Sequence, residues 1–307
     1  MLSVNKGKTD REAKIILGFN CNNNCFFCYE KSKRHLLPKN TEEIIKEIVV
    51  ARGKGFDKIS FIGGEPTLRQ DLLDLINYAK NLEFSQIMIT TNGRMFVYSD
   101  FVRKITQAGL TQVVFSLHGP NKEVHDQITG VPGSFKQLVE GIKNAKEFPG
   151  LASGTNTTIV NSNYRYLPEI ARLLIKWDIK RAEFIWVYPP PLVQYKKIVP
   201  MVSKAYPFCE ETLKTGLAKN YLWRILNPPL GCSFGGLFHH IGYAGHNEAT
   251  LFIKTKKSRI YASLEEEKII EWQKEKVCLS CKVREKCFGA QKRYLDCFGG
   301  KELKAVK

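Results

Sequence analysis

No run of about 18 uncharged apolar residues occurs in the 307-residue chain, so no transmembrane helix and no membrane partner are expected. The amino terminus, MLSVNKGKTDREAK, lacks the apolar stretch of a secretory signal. The cytoplasm is therefore the expected location. A disulfide framework is also excluded. Nine cysteines are an odd number in a long chain, and their spacings are those of clusters, which fits a reducing compartment. Acid is in short supply: 30 Asp and Glu stand against 47 Lys and Arg, for a formal charge of +17. Residues 191–307 hold 21 basic and 11 acidic residues, a surplus of ten. A basic surface favours nucleic acid or other acidic partners. The lysines are nevertheless scattered among apolar helix positions, the pattern of solvated helix faces, and no RNA-binding motif is present.

No cysteine lies between Cys28 and Cys209, yet Cys21, Cys25 and Cys28 fall within the eight residues CNNNCFFC. A closed structural zinc site normally takes four ligands. Three thiolates on one short loop suit an iron–sulfur cluster with one iron left open.

The first 190 residues alternate strand and helix. Strands are predicted at 14–20, 57–66 (running into a glycine turn), 85–93, 111–119, 154–160 and 182–188. Helices are predicted from Asn40 or Thr41 to the glycines near 55, and over 69–82, 98–108, 134–148 and 167–177, with Gly109 and Pro149-Gly150 as stops. Six such units imply a parallel sheet with right-handed crossovers. Polar residues and glycines gather at the strand ends (CNNNC, GGEP, TNG, SLHG), the edge where parallel α/β barrels build their sites. The triple proline 189–191 marks a break. Beyond it, a helix is expected over 203–219, a hairpin or two short strands over 251–264, and a helix over 263–277. The expected fold is α/β, a partial (β/α)6 barrel of TIM type over 14–190. A tail precedes it at 1–13, and a small cysteine-rich domain follows at 191–307.

CNNNCFFC, with Phe27 before its last cysteine, resembles the CxxxCxxC signature of radical S-adenosylmethionine (SAM) enzymes. Gly63-Gly64-Glu65-Pro66 resembles their GGEP motif, placed at the end of the second strand. The resemblance covers residues 14–190. It implies that Cys21, Cys25 and Cys28 hold a [4Fe–4S] cluster whose fourth iron binds SAM. It further implies that one electron cleaves SAM to a 5′-deoxyadenosyl radical that abstracts a substrate hydrogen. On this resemblance Gly63 and Gly64 let the backbone approach the methionine part of SAM. Glu65 would accept hydrogen bonds from its ammonium group. Phe27 would pack on adenine or in the core. Ser116 would contact ribose, and Asn92 would line the SAM pocket or shape a turn. Relatives often read Ser-Ile-Asp-Gly where this chain reads Ser116-Leu117-His118-Gly119, which leaves His118 structural or functional. His125 and Asp126 read as capping or packing groups.

Cys278, Cys281 and Cys287 resemble the SPASM/twitch extension, which holds auxiliary [4Fe–4S] clusters. Zinc is the competing reading. Cys232, after a Pro-Pro-Leu-Gly turn, is the favoured fourth ligand and Cys297 the alternative. Short of the seven cysteines of a two-cluster domain, the chain is expected to hold one auxiliary cluster. Cys209 is expected to be a buried thiol.

The expected function is radical SAM chemistry on a peptide, protein or small metabolite, fed by a flavodoxin- or ferredoxin-type electron donor. A barrel starting near residue 14 leaves no room for a leader-binding domain ahead of it. Recognition of a peptide would then fall to the C-terminal third or a separate partner. The alternatives are an RNA- or nucleotide-modifying radical SAM enzyme and a non-catalytic iron–sulfur scaffold.

Overall fold

The computed structural model describes residues 12–187, 195–242, 250–252 and 271–307. Six strands follow in chain order: β1 (Glu12–Ile16), β2 (Lys58–Ile62), β3 (Gln86–Thr91), β4 (Gln112–Ser116), β5 (Ala152–Ile159) and β6 (Arg181–Trp186). Between them lie α1 (Thr41–Gly53), α2 (Leu72–Asn81), α3 (Ser99–Ala108), α4 (Lys122–Thr129), α5 (Ser134–Lys146) and α6 (Leu167–Lys176). After β6 come α7 (Tyr195–Ile198), α8 (Val202–Leu217), β7 (Leu222–Leu226), β8 (Ile241–Gly242) and β9 (Thr250–Phe252).

All nine strands are parallel and lie in the order β8-β7-β6-β5-β4-β3-β2-β1-β9. The expected partial barrel is present, and its six strands are extended at both edges by strands from beyond the triple proline. That proline run itself lies outside the described residues. Period-two alternation sorts each strand. Ala182, Phe184 and Trp186 are buried while Arg181, Glu183 and Ile185 are not. Val113 and Phe115, Ile87 and Ile89, and Ile59 and Phe61 are buried likewise, in one core with Ile48, Leu75, Ile105, Ile142 and Leu174 of the helices. The opposite, concave face keeps Lys14, Met88, Ser116, Asn156 and Glu183.

Local signals act as expected at several boundaries. Asn40 caps α1 reciprocally with Glu43, at 2.9 and 3.0 Å. Gly109 ends α3 in the left-handed region, φ 120°. Helix α4 was foreseen only as a helix start around His125.

One reading of the C-terminal third needs correction. Over 263–277 a helix is expected, and 263–270 lie outside the described residues. Trp272–Gln273 (β10), however, pairs antiparallel with Ala290–Gln291 (β11), and Lys276–Ser280 is a 3-10 turn. Cross-strand pairing overrides the helical periodicity at Trp272–Gln273. Of the strands expected over 251–264, Thr250–Phe252 is a strand, parallel to β1, and 253–264 lie outside the described residues.

The C-terminal segment is tied to the barrel. Gln291 donates from its backbone to Pro229 O and from its side chain to Asn227 O, both at 2.9 Å. Val202 N donates to the Tyr294 hydroxyl at 2.7 Å.

Candidate functional site

The loop after β1 carries Cys21, Cys25 and Cys28, all half-buried free thiols. It is pinned from three sides. From α4, the carbonyls of Thr129 and Ile128 accept Asn24 N (2.7 Å) and Phe26 N (3.3 Å). From the loop after β3, Arg94 donates to Asn22 O (2.5 Å) and Asn23 Oδ1 (3.3 Å) while its Nε binds Gln137 Oε1 (2.6 Å). From the segment after Cys28, Arg34 donates to Asn23 O at 2.7 Å. Asn23 N donates to Cys21 Sγ at 3.4 Å. Burial pushes the Cys21 thiol up, and it raises Cys25 to about 12 with help from Cys28 and Cys21. A bound metal would displace these protons.

At the end of β2, Gly64 N donates to Gly18 O (2.8 Å) and Glu65 N to Asn20 O (2.7 Å). A Cβ on Gly63 would lie 2.3 Å from Gly18 O, and one on Gly64 2.1 Å from Asn20 O. The two glycines therefore let the β2 turn press against the backbone entering the cysteine loop. This is a reason internal to the protein, beside the one expected from SAM. Pro66 is buried and opens a short 3-10 turn.

Glu65 is buried, and its carboxylate accepts Thr67 N (3.1 Å), Thr67 Oγ1 (2.6 Å), Thr91 Oγ1 (2.7 Å) and Asn92 N (2.7 Å). Burial raises its carboxyl against these four donors. Four donors match the capacity of a carboxylate, so Glu65 clamps the β2 end to the β3 end. Asn92 then reaches the cysteine loop. Its Nδ2 donates to Asn22 Oδ1 at 2.6 Å and stands 3.9 Å from Cys21 Sγ. Its Oδ1 accepts Arg94 N at 3.1 Å.

Ser116 closes β4. His118, two residues on, is buried, and its Nδ1 accepts Thr158 N at 3.2 Å. Its backbone N–H goes to His125 Nδ1 at 3.1 Å and its carbonyl accepts Asn163 Nδ2 at 2.9 Å. Burial drops His118 to about 3 and His125 to about 4, so both are neutral. Phe27 lies edge-on to His118, centroids 5.0 Å apart, and packs against the core. Asp126 caps α5 through Gly133 N (2.6 Å), Phe135 N (2.7 Å) and Ser134 Oγ (2.8 Å). Arg94, Arg34, Asn22 and Asn23 had no signal in the sequence. Their role comes from loop approach, which spacing does not encode.

The C-terminal cysteines form a second group. Cys232, Cys278, Cys281 and Cys287 line one cavity with Lys274, Arg284 and Lys304. Val306 N donates to Cys281 Sγ at 3.3 Å and Gly289 N to Cys287 Sγ at 3.4 Å. Burial raises the Cys232 thiol, with the other three cysteines adding to it against the Lys304 N–H. Cys297, packed against the core as Cys232 also is, does not line this cavity. Cys209 is wholly buried in α8, its thiol pushed up by burial alone.

Known proteins resemble this chain in fold and in sequence. SuiB of Streptococcus suis, in a crystal structure bound to S-adenosylmethionine, superposes with a TM-score of 0.62 over 97% of this chain and 76% of that one, at 17% identity. Native anSMEcpe with bound AdoMet superposes at 0.63 over 96% and 93%, at 16% identity. At these identities the likeness is one of fold. In sequence, a probable GTP 3′,8-cyclase of Saccharolobus solfataricus is 36% identical over 162 residues, 52% of this chain and 51% of that protein. One from Sulfurisphaera tokodaii is 31% identical over 186 residues. The match spans about half the length of these curated relatives. The family model of the Radical SAM superfamily matches residues 15–174, more than half of the chain, and the protein therefore belongs to this superfamily of enzymes, whose members use a [4Fe–4S] cluster and SAM.

Proposed function

We propose that the chain cleaves SAM reductively to start radical chemistry, with Cys21, Cys25 and Cys28 as the cluster ligands. The observation that carries this reading is the pinned loop, with three free thiols at the C-terminal edge of the sheet and no fourth cysteine on it. When bound, the cluster supplies the electron that splits the sulfonium bond and yields the 5′-deoxyadenosyl radical. The chain's own part is to fix the loop. Glu65 and Asn92 join it to β2 and β3, and Arg94 and Arg34 hold its carbonyls. Ser116, Phe27, Pro66 and the Gly63-Gly64 turn border the space where SAM would bind.

A second, auxiliary [4Fe–4S] cluster of SPASM/twitch type fits Cys232, Cys278, Cys281 and Cys287, which share one cavity while Cys297 does not. The domain division proposed is a core over 14–190 and an auxiliary domain over 191–307.

A peptide, protein or small metabolite is the proposed substrate. Crystal structures exist of SuiB bound to the precursor peptide SuiA and of anSMEcpe with bound Cp18Cys peptide. The name of the sequence relatives supports a nucleotide as the second reading. A flavodoxin- or ferredoxin-type donor suits the basic surface, and the cytoplasm suits a reducing partner. No helix among the described residues is long and apolar enough to cross a membrane.

The test is anaerobic reconstitution with iron and sulfide, then SAM and dithionite. Wild type is expected to form 5′-deoxyadenosine and Cys25→Ala none. Iron per chain is expected at about eight, falling to about four in a Cys278→Ala/Cys281→Ala double variant. No 5′-deoxyadenosine from fully loaded wild type would favour the non-catalytic scaffold.

A further inference from the structure

Register aligns four polar side chains across the concave face. Ser116 of β4 is opposite Asn156 of β5, Asn156 is opposite Glu183 of β6, and Glu183 is opposite Arg224 of β7. Their strand neighbours Phe115, Phe184 and Ile225 are fully buried on the other side, so the row lies on the open face. At about 4.8 Å per strand it runs roughly 14 Å from Ser116. Lys14 of β1 acts electrostatically on Glu183 although the two strands are five places apart in the sheet. The curl of the sheet therefore brings Lys14 to face the row.

None of the side chains of Ser116, Asn156, Glu183, Arg224 and Lys14 makes a hydrogen bond or ion pair with a described residue. Neighbouring polar groups that serve the fold are saturated: Glu65 has four donors, and Asn163 bonds His118 O, Thr158 O and Val160 N. Glu183 and Arg224 are directly opposite and yet unpaired. Burial raises the Glu183 carboxyl, and Lys14, Arg181 and Arg224 oppose that while Glu12 adds to it. Lys14, Ser116, Asn156 and Glu183 are half-buried and Arg224 is exposed, so the row offers convergent polar groups that a ligand can take up.

We infer that this row is a substrate-recognition ledge, in which Glu183 accepts a nitrogen-bound donor and Arg224 with Lys14 holds an anionic oxygen of the same substrate. Two sources share that chemistry, an α-amino acid group and a nucleotide with its base and phosphates. The inference rests on the proposed SAM site for the neighbour of the ledge at Ser116.

The experiment uses the cluster-loaded protein with SAM under nitrogen. Saturation-transfer NMR followed by calorimetry measures Kd in two arms, GTP and the mixture of α-amino acids. One arm is expected to show saturable binding. Glu183→Gln and Lys14→Met are each expected to weaken it at least tenfold with iron per chain unchanged. Asn156→Ala, a smaller truncation in the same row, is expected to weaken the same probe and decides the matter should either charge variant fail to load. No binding in either arm, or a wild-type Kd in the variants, overturns the ledge. Absence of 5′-deoxyadenosine in the separate cleavage assay would remove the radical chemistry and leave the binding result standing.

Discussion

Nδ1 of His125 accepts the backbone N–H of His118 at 3.1 Å, and His118 in turn accepts the N–H of Thr158 through its own Nδ1. Two imidazoles thus act as neutral backbone acceptors just past β4. Protonating either nitrogen would break its bond and charge a buried ring.

The pH dependence of stability follows from their sign. The ordinary value of 6.5 drops to about 3 for His118 and about 4 for His125. Between these values and 6.5 the unfolded chain binds more protons, so stability is fully present above 6.5 and is lost as pH falls. The slope is about 1.4 kcal/mol per pH unit for each histidine. Urea denaturation of the loaded protein between pH 5 and 7 checks this, with His125→Asn expected to remove about half of the slope.

Glu65→Gln places an amide nitrogen among four donors. The loss expected is about 2 kcal/mol of stability, together with a loosened Asn92. Denaturant midpoints under nitrogen measure the first. Iron retention at the amino-terminal site, followed in the Cys278→Ala/Cys281→Ala background, measures the second.

Arg94→Ala removes the guanidinium that binds Asn22 O, Asn23 Oδ1 and Gln137. Supporting contacts of this sort are worth about 10- to 100-fold in metal affinity. The variant should keep the circular dichroism of wild type while losing amino-terminal iron to a chelator at correspondingly lower concentration.

Gly64→Ala puts a methyl group 2.1 Å from Asn20 O. A rigid backbone atom cannot yield cheaply, and the cost expected is about 3 kcal/mol. Thermal unfolding of the unloaded protein reads it without any contribution from SAM.

Lys39 Nζ contacts both carboxylate oxygens of Glu47 at 2.8 Å, and both side chains are almost wholly buried. Glu47→Ala removes the carboxylate that takes both of these contacts, with an expected cost of about 3–5 kcal/mol. A paired Lys39→Met/Glu47→Leu variant should recover most of it in the same denaturation experiment.

Strand alternation, helix stops and the two motifs were legible because each is a local property. Phe184 and Glu183 point to opposite faces by pleat alone, and Gly109 ends its helix by backbone freedom alone. Other features depend on loops remote in sequence. Glu65 finds Thr91 and Asn92 across 26 and 27 residues, and Arg94 finds Asn22 across 72. No spacing rule announces such meetings. His118 was ambiguous because a departure from a family pattern says that a role has changed without saying to what. Cys232 was favoured over Cys297 by the turn before it, but position alone could not show which of the two shares a cavity with Cys278, Cys281 and Cys287. The error over 272–277 arose because a short strand depends on a partner, Ala290–Gln291, that periodicity cannot see.

Thr250 pairs with Glu12. Until the ribosome has released that late segment, β1 offers an open row of backbone donors and acceptors, the kind of edge on which nascent chains stick to one another. Loop closure over so long an interval is slow. Synthesis of this enzyme thus leaves β1 as an uncovered edge until Thr250–Phe252 has emerged.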